Sequence, residues 1–261
     1  MARANVIGGR IILSGRHQKG KRKDVLNLRG VLIDFGYTLA YLNEENVKKY
    51  REELVLILRK YGYNKTLDDL VPILHSTYRN STKGEVKDIY EFWKVLLKNL
   101  GIRERPILVQ ELTELRKNHV PTRFRLYDNV ISVLSALRKK YKLALVSNCF
   151  VGLSDILKSL DLTRFFECII LSYEVGVMKP DRCIYLEALQ RLKLRPEESV
   201  FVSDAISDLE GAREVGLKTM LIRQGERTNQ GAKDPNFKPD FQCKHISEII
   251  DYLWYDSCMH A

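Results

Sequence analysis

Asp34, Thr38, Ser147, Lys179, Asp204 and Asp208 are the residues of this sequence best suited to hold and attack an anion. Asp34 ends an apolar run and Thr38 lies four residues on. Ser147-Asn148 ends a second run, Lys179-Pro180 follows a third, and Asp204 and Asp208 follow a fourth. A free carboxylate suits nucleophilic attack. A lysine and a hydroxyl suit the oxygens of a phosphoryl group. Hard carboxylate oxygens suit Mg²⁺, which takes one or two of them with waters and substrate oxygens. Each group also has a plainer reading alone: Asp34 suits a turn, Ser147-Asn148 a loop start, and Asp208 the cap of a helix from Leu209 to Val215. Their order and common placement favour a single site.

That placement follows from the elements around them. Gly30 to Asp34 reads as a buried parallel strand, a short apolar run ending in an acid. Residues 44–61 then carry Val47, Tyr50, Leu54, Leu58 and Tyr61 on one helical face. Further helices are predicted at 67–78, 87–99 and 106–118, with no strand between 44 and 120. This stretch reads as an all-helical insertion. After Pro121 strands and helices alternate. Strands are predicted at 142–147, 168–171, 199–203 and 218–222. Helices fall at 128–139, 152–160, 180–191 (opened by Pro180) and 208–215, with a terminal helix at 246–254. Such alternation predicts an α/β fold with a doubly wound parallel sheet covered on both faces. Ligands gather outside the carboxyl ends of such strands. Side chains as far apart as Asp34 and Asp204 should therefore meet.

With those motifs in view, the sequence resembles the haloacid dehalogenase (HAD)-like hydrolase superfamily. Asp34-Phe35-Gly36-Tyr37-Thr38-Leu39 is similar to its first motif, and Leu145-Val146-Ser147-Asn148 to its second. Lys179-Pro180 is similar to the third, and Ser203-Asp204-Ala205-Ile206-Ser207-Asp208 to the fourth. The resemblance implies a Rossmann-like core at 30–43 and 121–261, a helical C1-type cap at 44–120, and a basic extension at 1–29. It implies that Asp34 attacks phosphorus to form an aspartyl-phosphate. Thr38, Ser147, Asn148 and Lys179 would bind the phosphoryl group. Mg²⁺ would rest on Asp34, the Gly36 carbonyl, Asp204 and Asp208. The expected partner is a small phosphorylated metabolite.

One position departs from the pattern. Family phosphatases carry a second aspartate two residues after the nucleophile, and Gly36 stands there. The missing group would protonate the leaving oxygen, help typically worth about 10²–10⁴ in rate. A phosphatase that is slow, or that borrows an acid from the cap, is the first reading. A non-catalytic HAD-fold binding protein is the second. A 2-haloacid dehalogenase is a third, since halide needs no proton and Tyr185 lies six residues after Lys179. Retention of both Asp204 and Asp208 speaks against it.

Composition sets the wider bounds. The 261 residues are 45% hydrophobic and 29% charged, an ordinary globular balance. Apolar runs are too short for a membrane-spanning helix. The five cysteines, Cys149, Cys168, Cys183, Cys243 and Cys258, form no CxxC pair, and the histidines show no zinc spacing. A reducing, cytoplasmic setting is expected. The net charge of +10 is concentrated before residue 30, where eight Lys or Arg face the single acid Asp24. A solvated extension is the plain reading and an electrostatic contact with nucleic acid the sharper one. Val6-Ile7 and Ile11 to Leu13 offer an added edge strand. In the helical insertion, Arg51, Arg59 and Arg79 are candidates for substrate anions, and one of Tyr90, Phe92 and Trp93 for the pocket wall. Oligomeric state has no signature here.

Overall fold

A computed structural model of the chain describes residues 5–7, 10–12, 27–224 and 233–255. Most of the basic extension, residues 225–232, Cys258 and the nucleic-acid expectation lie outside the described residues.

β1 (Asn5–Ile7) and β2 (Arg10–Ile12) pair antiparallel as a ribbon of their own. They do not extend the main sheet, which corrects the expected edge strand. That sheet comprises β3 (Gly30–Ile33), β6 (Lys142–Ser147), β7 (Cys168–Leu171), β8 (Ser199–Ser203), β9 (Lys218–Ile222) and β10 (Phe241–Cys243). Its order is β10-β9-β8-β3-β6-β7, with every neighbour parallel. The chain runs outward from β3 in both directions, so the sheet reverses its winding beside that strand. The crevice at such a reversal is where open α/β sheets bind ligands.

All of β3 and β8 is buried, because a parallel sheet has helices on both faces. Alternate side chains enter different layers. Val31, Ile33, Leu143 and Leu145 face the apolar layer that includes α5 (Val130–Leu137) and α10 (Glu248–Tyr255). Leu32, Ala144 and Val146 face α8 (Arg182–Leu192) and α9 (Ile206–Val215). The short helices α6 (Leu153–Ser159) and α7 (Ser172–Val175) complete the core. Two helix starts differ from expectation. α8 begins at Arg182 with Asp181 as its cap, so Pro180 precedes it. α9 begins at Ile206, which places Asp208 inside its first turn instead of at its cap.

Four helices occupy the inserted stretch: α1 (Glu44–Lys60), α2 (Leu67–Thr82), α3 (Ile89–Leu100) and α4 (Pro106–His119). Val47, Tyr50, Leu54 and Leu58 are buried along α1 as their spacing requires. Thr66 and Asp69 form a capping box at the start of α2. The stretch is entered and left through β4 (Ala40–Leu42) and β5 (Phe124–Leu126), which pair antiparallel. It docks on the sheet domain through Arg116, whose Nη1 lies 3.0 Å from Asp155 and whose Nη2 donates to the Gly152 carbonyl at 3.0 Å. The apolar layer on that side of the sheet continues into the helices through Tyr50, Leu74 and Phe92.

Candidate active site

Asp34 leaves the carboxyl end of β3, its own N–H donating to Val202 on β8 at 3.0 Å. The Lys179 ammonium lies 2.6 Å from Asp34 Oδ1 and 2.8 Å from Asp208 Oδ2. All three side chains are buried. Asn148, at the end of β6, fixes the lysine backbone from both sides: its Oδ1 accepts from the Lys179 N–H at 2.7 Å and its Nδ2 donates to the Lys179 carbonyl at 2.9 Å. Gly211 on α9 packs against the next residue. A Cβ there would fall 2.3 Å from the Pro180 carbonyl oxygen. Gly211→Ala should therefore displace the lysine loop, costing about 1–3 kcal/mol by overpacking. Turnover should fall roughly 10²-fold for a misplacement of this kind, read from paired melting and kinetic measurements.

Asp34, Gly36, Asn148, Lys179, Asp204 and Asp208 all line one cavity of about 270 Å³, with Tyr37 and Ala205. Ser147 lies at the wall of a neighbouring cavity. Thr38 lies behind Asp204. It is fully buried, accepts from the Asp204 N–H at 3.1 Å and lies 3.5 Å from Asp204 Oδ1. It is not among the residues lining either cavity, and its hydroxyl is engaged with Asp204. Tyr185 is also spent structurally, its hydroxyl donating to the Asp208 carbonyl at 2.7 Å. Gln224 reaches from the end of β9 to the Thr38 carbonyl.

Lys179 is paired with Asp34 and Asp208, and Asp204 lines the same cavity. Burial pushes the Asp34 carboxyl above its ordinary value, against the pull of Lys179. Burial, with the charge of Asp34 behind it, pushes Asp204 up to about 7. Burial would lower the Lys179 ammonium, but Asp208 and Asp34 outweigh it and hold the pKa above normal. Lys179→Met should leave two buried carboxylates without their cation, costing about 3–5 kcal/mol. Urea unfolding near neutral pH reads that loss.

Among the described residues, no three His, Cys, Asp or Glu side chains are already gathered as a closed metal cage. What the cavity offers is an open set of hard oxygens: Asp34, the backbone at Gly36, and Asp204. Asp208 is engaged by Lys179 and by the Ser203 hydroxyl at 3.4 Å. Hard carboxylate oxygens facing one cavity are donors of the kind a divalent cation takes. Cys149 beside the site is a buried filler whose thiol burial pushes up to about 12.

The second cavity, about 260 Å³, lies between the helical stretch and the sheet. It shares Gly36, Tyr37 and Asn148 with the first. Of the aromatic candidates, Phe92 and Trp93 are core and Tyr90 is half-exposed on the surface. Tyr50, Tyr78 and Phe150 form the aromatic wall instead. Of the arginine candidates Arg51 lines the cavity, whereas Arg59 and Arg79 do not. Arg123, which also lines it, belongs to no motif of the sequence. Its one signal is its place beside Pro121, where the chain returns from the helices.

A family model described as haloacid dehalogenase-like hydrolase matches residues 31–222. A glyceraldehyde 3-phosphate phosphatase of Methanopyrus kandleri is 27% identical over 229 residues, covering 87% of this chain and 97% of that protein. A HAD phosphatase from Thermococcus onnurineus superposes with a TM-score of 0.63 at 24% identity, over 87% of this chain and 98% of the other. A 2-haloacid dehalogenase from Pseudomonas syringae gives 0.69 at 20% identity, over 87% and 99%. The two structures, a phosphatase and a dehalogenase, share this fold.

Proposed function

Because the chain belongs to the haloacid dehalogenase-like hydrolase family, we propose that it is a Mg²⁺-dependent phosphatase of a small phosphate monoester. The observation that carries the reading is the buried lysine held between Asp34 and Asp208 at the mouth of β3. In the reaction, an Asp34 oxygen forms a bond to phosphorus while the bond from phosphorus to the ester oxygen breaks, and that oxygen takes a proton from water and leaves as the alcohol. Water then attacks phosphorus, the bond to Asp34 breaks, and inorganic phosphate leaves. Lys179 offsets the repulsion between the Asp34 carboxylate and the incoming anion. Ser147 donates to a phosphoryl oxygen. Asn148 holds Lys179 in place, and Thr38 holds Asp204. Asp34, the Gly36 carbonyl and Asp204 would hold Mg²⁺, with Asp208 behind them. When bound, it supplies charge neutralisation and orientation.

Gly36 offers no proton to the departing oxygen, so the reading includes slow turnover or substrates whose leaving groups need little help. Helices α1–α4 are assigned as the cap, at 44–120, over a core at 30–43 and 121–261. A panel of acyl, aryl and sugar phosphates, assayed with Mg²⁺ and again with EDTA, tests the proposal. Metal-dependent release of phosphate is expected, with loss on chelation. No release from any ester would overturn it and leave the non-catalytic binding protein.

A further inference from the structure

We infer that the substrate of this site carries a carboxylate on its organic part, and that Arg123 receives it. The inference rests on the phosphatase reading and names the substrate class for the same site. Arg123 sits where the chain returns from the helices to the sheet domain, its carbonyl accepting from the Asn43 N–H at 3.0 Å. Its guanidinium lies 5.3 Å from the ring centres of Tyr50 and Tyr78 and 5.1 Å from that of Phe150. Rings attract the cation through their faces but cannot accept its in-plane N–H groups as an anion does. Among the described residues, no carboxylate lies within ion-pair distance of it. Its Nε is buried with no hydrogen-bond partner, and the polar groups that face its charge are the Tyr50 and Tyr78 hydroxyls, neither of them an anion.

The cavity around it has the same bias. Its walls include Arg51 and Arg123 but, among the described residues, no Asp or Glu. Arg51 lies 2.8 Å from His75 Nε2, an imidazole whose pKa is lowered by burial and by the two nearby arginines Arg51 and Arg79. The adjoining catalytic cavity has the opposite balance, three acids to one lysine. Both cavities are bounded by Gly36, Tyr37 and Asn148, so a phosphate ester anchored at Asp34 can extend past Gly36 towards Arg123. A planar carboxylate matches the guanidinium fork two N–H groups at a time, which a hydroxyl or aldehyde cannot do.

The test compares 2-phosphoglycolate with 2-hydroxyethyl phosphate, which replaces the carboxylate by a neutral alcohol. With Mg²⁺ present, kcat/KM is expected to be at least about tenfold higher for the carboxylate, largely through KM. The preference should disappear in Arg123→Met and persist in part in Arg123→Lys. Calorimetry with 3-phosphonopropionate and propylphosphonate reads the same preference without turnover, so failure of the phosphatase reading leaves this result interpretable. Equal affinity for the two phosphonates, binding of neither, or a carboxylate preference that survives Arg123→Met in a folded protein overturns the proposal.

Discussion

Asp34→Asn should reduce phosphate release by about 10⁴-fold or more, the scale of loss when a covalent nucleophile is removed. The amide is nearly isosteric with the carboxylate but cannot form the acyl-phosphate bond. The fold should tolerate it, because Lys179 keeps its contact with Asp208 at 2.8 Å. The substitution also removes a buried carboxylate that burial already disfavours. A melting temperature close to wild type with activity at background is therefore the expected pair of results. A variant that keeps more than about a tenth of wild-type kcat would exclude Asp34 as nucleophile, whatever its KM.

The opposite sign is expected at Gly36. Gly36→Asp should raise kcat on alkyl phosphates by about 10²–10⁴, the usual worth of a positioned general acid. Space favours the change: a Cβ at Gly36 meets nothing within 4 Å, so overpacking does not oppose it. Charge favours it as well. A new carboxyl beside Asp34 and Asp204 is pushed up by like charges, and a raised pKa is what a proton donor needs. On aryl phosphates, whose leaving groups need little protonation, the gain should be much smaller. A folded Gly36→Asp protein with unchanged rates on both classes would show that the leaving group obtains its proton elsewhere.

Much of this site is legible in the chain before any coordinates. Strands 142–147, 168–171, 199–203 and 218–222 occur where the apolar runs place them, because strands buried on both faces leave continuous hydrophobic stretches. Parallel pairing then brings their carboxyl ends together, and Asp34, Asn148, Lys179 and Asp204 meet for that reason. The three-residue strands Ala40–Leu42, Phe124–Leu126 and Phe241–Cys243 are too short to show a period. Side-chain commitments are equally hidden. Nothing in the order of residues says that Thr38 spends its hydroxyl on Asp204, or that Arg123 ends among Tyr50, Tyr78 and Phe150. Such contacts join residues far apart in sequence across the seam between helices and sheet.

The most direct test of the account is a crystal structure of the protein soaked with Mg²⁺ and beryllium fluoride, a mimic of a phosphoryl group. A tetrahedral fluoroberyllate joined to an Asp34 carboxylate oxygen is expected, with the Lys179 ammonium beside it and an octahedral ion touching Asp34 and Asp204. Fluoroberyllate absent from Asp34 under saturating conditions, or an ion bound away from both acids, would contradict it.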